Sequence, residues 1–333
     1  MVGKVCCLSA TKIYFLQKVI KYPKRSETKE IPEKSVHLEV LHDPGPELRQ
    51  ADIIFVHGIK GALEKTWTQG LWSLGQFCVR KLSAGEIMDF SEWQSGEGTH
   101  SSEEEYSKCW PRDWLPMDCP HVRVIAVNYT TDPYLWRPFW MSKRLRTTMS
   151  ERSWEMIHSL VDIEVGKHSI VWVGHSKGGL YVKQVLVHAC ETNEDKYKEL
   201  SQNTKGVLFY SVPHRGSPLA NLNLPPLFCQ SVELTEVQKD CNNVLTLHQK
   251  FINLLDTEQL QIDVKSFIET QQTLMSFVYV QVVSEESADA QVGDVYGVPL
   301  DHRNICKPKN RKCFLYRELV SLIQAISENI TTK

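Results

Sequence analysis

The middle of the chain alternates short β-branched apolar runs with longer stretches of helical spacing. Asp52–Val56 (DIIFV), Val122–Tyr129 (VRVIAVNY), Ser169–Val173, Gly206–Tyr210 and Val264–Ile268 read as buried strands, and Phe277–Val283 as a further one. Ser35–Val40 (SVHLEV) alternates apolar and polar residues, as an edge strand does. Helices are predicted over Ser150–Ile163, Gly178–Cys190, most of Val232–Leu255 and Tyr316–Ile330, with part of Thr66–Leu82 also helical. Strands followed by helices imply βαβ units, so the expected architecture is α/β, a mostly parallel sheet flanked by helices. Short antiparallel strands are expected before it.

Composition narrows this picture. The 333 residues exceed the ~100–200 of a typical domain, which still fits one large α/β domain over 35–333. Gly85–Lys108 is acidic, rich in Gly and Ser and poor in apolar residues, and reads as a flexible surface insertion. Residues 1–34 are set apart: Lys4, Lys12, Lys18, Lys21, Lys24 and Arg25 precede the first acid, Glu27. This is a basic N-terminal arm or a targeting segment. The net charge of −2 argues against nucleic acid as a partner. No run reaches the ~18–20 apolar residues of a membrane span. The ten cysteines form no C-x-x-C pair and show no zinc-ligand spacing, as expected of reduced thiols in an intracellular protein.

The strongest chemical signal is Gly174-His175-Ser176-Lys177-Gly178, a G-x-S-x-G pattern between a predicted strand and a predicted helix. A nucleophilic serine there occupies a sharp turn whose neighbours must be small, and Gly174 and Gly178 meet that need. Gly179 lets the helix approach the sheet. Dinucleotide and P-loop spacings are absent. Acyl transfer also needs oxyanion donors. The backbone N–H of Lys177 is one, with its cationic side chain expected at the mouth of the site. His57-Gly58-Ile59-Lys60-Gly61 follows an earlier strand and supplies the second, from Ile59 or alternatively Lys60. His57 is expected to brace that loop.

In this type of site the chain order is serine, acid, histidine. His302, in PLDHRNICKP, lies late and in a loop before the final helix, so it takes the role of base. His214 is a candidate to line the site. The acid is Glu269, at the end of a strand, or alternatively Glu286, after the next one. No metal or cofactor is called for.

FVHGIKGALEKTW, CWPRDWL, GHSKGGL, FYSVPHRGSPLA, SFIET and DHRNICKP, in this order, resemble the lipase-like domain of the serine active site containing protein family. The resemblance runs from about residue 50 to about residue 326. It implies an α/β-hydrolase fold, Ser176 as nucleophile and His302 as base. It also implies hydrolysis or transacylation of glycerophospholipid acyl esters, with links to phosphatidylglycerol remodelling and intracellular cholesterol trafficking. The implied location is the mitochondrion or its contacts with the endoplasmic reticulum. The partners expected are a phospholipid substrate and, peripherally, a membrane.

Two stretches could cover an acyl chain. Tyr134, Trp136, Phe139, Trp140 and Met141 precede Lys143, Arg144 and Arg146, a mixture suited to an anionic lipid surface, or else aromatics packed on the core. Leu219–Phe228 (LANLNLPPLF) is a second candidate lid. Two other readings stay open: a catalytically weak scaffold that retains the fold, and an esterase or thioesterase for non-lipid substrates.

Overall fold

The computed structural model describes residues 35–72, 78–82, 85–89, 105–132, 134–141, 147–221, 227–275 and 277–331. The basic segment before Ser35, residues 90–104 of the acidic insertion, the cations at 143, 144 and 146, and residues 222–226 of the second candidate lid lie outside them. Along the chain come β1 (Val36–His42), β2 (Ala51–Val56), β3 (Cys78–Lys81), β4 (Glu86–Asp89), β5 (Val122–Tyr129) and β6 (Trp136–Pro138). Helix α1 (Met149–Asp162), β7 (Ser169–His175), α2 (Lys177–Glu191), α3 (Asp195–Gln202), β8 (Thr204–Tyr210) and β9 (Phe228–Gln230) follow. The last elements are α4 (Asn242–Asp256), β10 (Asp263–Glu269), β11 (Thr273–Met275), β12 (Val278–Val280), β13 (Asp294–Val298) and α5 (Phe314–Thr331).

Nine of these strands form one sheet in the order β1-β5-β2-β7-β8-β10-β13-β3-β4. The run from β5 to β13 is parallel, while β1 at one edge and β3–β4 at the other are antiparallel. The central strands are apolar throughout because both faces are covered. Ile54, Val56, Ile125, Val127 and Trp172 pack toward α1 and α2, and the alternate residues Ile53, Phe55, Val124, Val171 and Val173 pack toward α5. Helix α1 begins at a capping box, with Glu151 N–H bonded to Thr148 Oγ1 and the Thr148 N–H bonded to the Glu151 carboxylate. One charge pair sits inside the sheet. Asp52 and Arg123 are in register on β2 and β5, and the guanidinium grips the carboxylate at 2.6 and 3.0 Å while donating to Ile163 O at 2.7 Å.

Three expectations change. The described residues of Thr66–Leu82 hold no helix beyond a single turn, Leu63–Thr66, which ends at Trp67; Cys78–Lys81 is a strand, and residues 73–77 lie outside the described residues. Pairing with β13 and β4, with Val79 fully buried, decides that conformation over local propensity. Phe277–Val283 does not join the main sheet. Only Val278–Val280 is strand, and it pairs with β11 in a separate hairpin. The place beside β10 belongs to β13, a short strand that contains Gly297 and carries too weak a pattern to be found from sequence. Finally, the stretch 85–108 is not loop throughout, because Glu86–Asp89 forms β4 and extends the edge hairpin.

Candidate active site

The parallel strands end on one side of the sheet, where loops from β2, β7, β10 and β13 meet. Ser176 lies between β7 and α2 with φ of 54° and ψ of −130°, a strained conformation for a residue with a Cβ. The tight fit around it requires glycine at two places. A Cβ on Gly178 would lie 2.1 Å from Val56 O, and one on Gly58 would lie 2.7 Å from the Ser176 Cβ. The elbow and the His57–Gly61 loop therefore press directly against each other.

Ser176 Oγ lies 2.9 Å from His302 Nε2. On the other side of the ring, His302 Nδ1–H donates to the carboxylate of Glu269. Glu269 is the last residue of β10 and is fully buried; its second oxygen accepts the Val283 N–H at 3.1 Å. The Glu269 backbone N–H donates to Ser211 Oγ at 3.0 Å, and Ser211 itself has a φ of 44°. Backbone contacts fix His302 from both ends: its N–H donates to Thr273 Oγ1 at 3.0 Å, and its carbonyl accepts Nε2–H of His175 at 2.9 Å. Burial, reinforced by the nearby His302, holds the His175 ring down to about 3, so it is neutral at pH 7.

Three indole or amide groups clamp the loop after His302. Trp110 Nε1 donates to Cys306 O at 3.2 Å, Trp72 Nε1 to Lys307 O at 2.8 Å, and Gln69 Nε2 to Lys309 O at 2.7 Å. CWPRDWL, through Trp110, and the segment from Gln69 to Trp72 thus act as braces for the histidine loop.

The structure brings Ser176, His302 and Glu269 together and leaves Glu286 out. Glu286 is exposed and pairs with Arg215 at 2.7 Å. His57 is not within the relay. Its Nδ1–H donates to Gly58 O at 2.9 Å, its Nε2 accepts the Tyr129 N–H at 3.3 Å, and its ring stacks on Tyr129. Burial pushes it down to about 4, so it is a neutral strut of the loop. Lys60 N–H is bonded to Thr131 Oγ1 at 3.0 Å, which removes it as an oxyanion donor. Ile59 N–H makes no hydrogen bond among the described residues. Lys177 is the first residue of α2, where backbone N–H groups lack intrahelical acceptors.

The expected position of the Lys177 side chain is wrong. It is fully buried, ion-paired with Glu236 and 5.6 Å from the Tyr181 ring, because the first turn of α2 carries it under the cavity instead of toward the mouth. Burial lowers its pKa, and Glu236 opposes that shift. His214 does not line the cavity either. It is buried against Phe209 and His248, behind Pro213, which does line it. Thr273, Ser211 and His175 escaped the sequence reading. Only the last two lay inside quoted motifs, and neither has a spacing rule that assigns it a partner.

A cavity of about 430 Å³ opens over Ser176. Leu135, Leu219, Leu234, Val237, Met275 and Val282 form an apolar wall. Lys60, Lys65, Arg303 and Lys307 also line it, and no Asp or Glu among the described residues does. Cys306 is beside the serine loop, but burial pushes its thiol up to about 12, so it is no competing nucleophile.

No family model matches the chain. The chain is 36% identical over 278 residues to human Protein SERAC1, a match covering 83% of this chain and 39% of that protein. It is 35% identical over 278 residues to the zebrafish (Danio rerio) Protein SERAC1, with the same shares covered. The chain therefore spans about two fifths of the length of these relatives. Among solved structures, mature lipase BlEst2 of Bacillus licheniformis aligns with a TM-score of 0.50 at 14% identity, over 86% of this chain and 98% of that one. That likeness shows the fold, an α/β-hydrolase. These matches bear out the resemblance of this chain, over its matched part, to the serine active site containing protein family.

Proposed function

We propose that this chain is a serine hydrolase or acyltransferase that acts on the acyl esters of glycerophospholipids. The observation that carries the reading is the relay Ser176–His302–Glu269 beneath a cavity with an apolar wall and a cationic lining. In this reading Ser176 Oγ attacks the acyl carbonyl, and its proton passes to His302 Nε2. Glu269 orients the imidazole and stabilises the imidazolium. The backbone N–H groups of Lys177 and Ile59 hold the oxyanion. Collapse of the tetrahedral intermediate expels the lipid alkoxide, which takes the proton from Nε2. Water or the hydroxyl of a lysophospholipid then loses a proton to Nε2 and attacks the acyl–Ser176 ester. The second tetrahedral intermediate expels Ser176 Oγ, which takes the proton back from Nε2; water as acceptor gives hydrolysis, and the lysophospholipid gives transacylation.

The apolar wall suits the acyl chain, and Lys60, Lys65, Arg303 and Lys307 suit an anionic headgroup. Phosphatidylglycerol, the lipid class to which the family resemblance points, combines both features. A part in its remodelling, in cholesterol trafficking and at mitochondria or their contacts with the endoplasmic reticulum belongs to the same proposal.

The test is mass spectrometry of phosphatidylglycerol incubated with the purified chain, with and without a lysophospholipid acceptor. Released fatty acid or an acyl-exchanged product is expected, and neither is expected with Ser176→Ala. Intact phosphatidylglycerol alongside cleavage of a soluble ester or thioester would move the reading to a non-lipid esterase. Cleavage of neither would favour a scaffold.

A further inference from the structure

Two small β-ribbons border the cavity outside the main sheet. One pairs β6 with β9, and the other pairs β11 with β12. Their roots share one apolar cluster in which Leu135, Trp136, Met275 and Val280 pack on Leu219, Ile268 and Val283. Leu135 and Met275 also belong to the cavity wall. Beyond these roots the ribbons expose what soluble surfaces usually cover. Phe277, at the tip of the second hairpin, is 96% exposed, and Leu274, Val278 and Tyr279 are exposed around it. On the first ribbon Phe139, Trp140, Met141 and Phe228 are exposed. The second hairpin belongs to a stretch without a single charged residue, Thr270 to Ser284.

We propose that these two ribbons are the surface on which the chain docks to an anionic lipid bilayer, with the cavity mouth turned to the membrane. This rests on the lipid reading above and extends it from the substrate to the surface that holds the substrate. Apolar tips beside one mouth are larger than the isolated apolar residues found on ordinary surfaces. Two further observations select a bilayer as the occupant. Among the described residues, the cavity lining carries Lys60, Lys65, Arg303 and Lys307 with no carboxylate, these four form no ion pair, and Arg303 reaches Met275 Sδ of the second ribbon at 3.7 Å, so they complement anionic headgroups beside the mouth. Tyr134, Tyr279 and Trp140 add the amphipathic rings that favour the headgroup level. Docking is linked to the chemistry through one residue. Thr273, at the base of the hairpin, holds the His302 backbone N–H.

The experiment is co-sedimentation of the full chain with vesicles of phosphatidylcholine alone and of phosphatidylcholine with phosphatidylglycerol, compared with Phe277→Ser/Tyr279→Ser. Binding is read without turnover, on a Ser176→Ala background. A thermal midpoint close to that of the parent serves as the folding control. The expected result is binding to the mixed vesicles that weakens by about tenfold or more in the double variant. Failure of the parent to bind either vesicle overturns the proposal, as does equal binding by the folded double variant. A double variant that changes oligomeric state and keeps vesicle binding also overturns it, in favour of a protein partner. Loss of Ser176 reactivity toward an acylating probe would count against the catalytic reading and leave this result standing.

Discussion

The floor of the cavity and its rim are built in opposite ways. On the floor every working group is held by at least one other: Ser176 by the elbow, His302 by Thr273 and His175, Glu269 by Ser211 and Val283. On the rim, the tips of the β6–β9 and β11–β12 ribbons expose Phe139, Trp140, Phe277 and Tyr279 to solvent. The floor is specified by hydrogen bonds that tolerate few changes. The rim is specified by apolar character and place, with room for substitution. Chemistry should therefore fail at the floor, while attachment should fail at the rim.

The sharpest contrast on the floor lies between the two candidate acids. Glu269→Gln keeps the volume but offers an amide that can donate to His302, so the ring loses its enforced tautomer. Ester turnover is expected to fall by about 10⁴-fold. Glu286→Gln, in an exposed ion pair, is expected to leave turnover within about twofold of the parent, since such pairs contribute little. Steady-state kinetics on a soluble ester checks both, and equal losses would remove Glu269 from its assigned place.

The sheet beneath the floor is expected to be nearly as sensitive in stability. Arg123→Met leaves Asp52 buried without its fork partner, at a cost of about 3–5 kcal/mol in urea unfolding. A loss under 1 kcal/mol would mean that the sheet readily relaxes around the lone carboxylate.

A smaller effect comes from acid. His57 and His175 lie near 4 and 3 in the fold, below the ordinary 6.5 of an exposed histidine, because burial disfavours their charged forms. The unfolded chain thus takes up protons first as pH falls. Their contribution is whole above about pH 6.5 and declines below it, by about 2 kcal/mol for each ring at pH 5. Urea midpoints at pH 7.5 and 5 measure this; a decline of half the expected size would show that one ring is charged in the fold, and a flat profile that both are. The smallest effect belongs to the rim: Phe277→Ser should shift unfolding by no more than about 0.5 kcal/mol. A larger loss would mean that the tip is part of the core.

The same contrast explains what could be read from sequence. The elbow was legible because its glycines, strand and helix fall in one stretch, and strict local geometry leaves a spacing. The parallel core was legible because strands covered on both faces are apolar without a break. Glu269 and Glu286 could not be separated, since each follows an apolar run and only packing shows that one is enclosed while the other meets Arg215. Thr273 left no trace, because its partner is 29 positions away and the contact is made by a backbone N–H. The short β13 leaves no sequence signal, and Phe277–Val283 reads as a strand of the main sheet, for a similar reason. Which run joins the main sheet depends on the vacancy beside β10, a property of the assembled sheet. The Lys177 side chain was misplaced because a cation beside a nucleophile suggests an exposed charge, and its partner Glu236 lies 59 residues on.

The most direct test of the central claim is labelling by a fluorophosphonate probe followed by peptide mapping. Ser176 is expected to carry the label, with labelling abolished in Ser176→Ala and strongly slowed in Glu269→Gln. A correctly folded parent that stays unlabelled, or a label that persists in Ser176→Ala, would contradict the assignment of Ser176 as nucleophile.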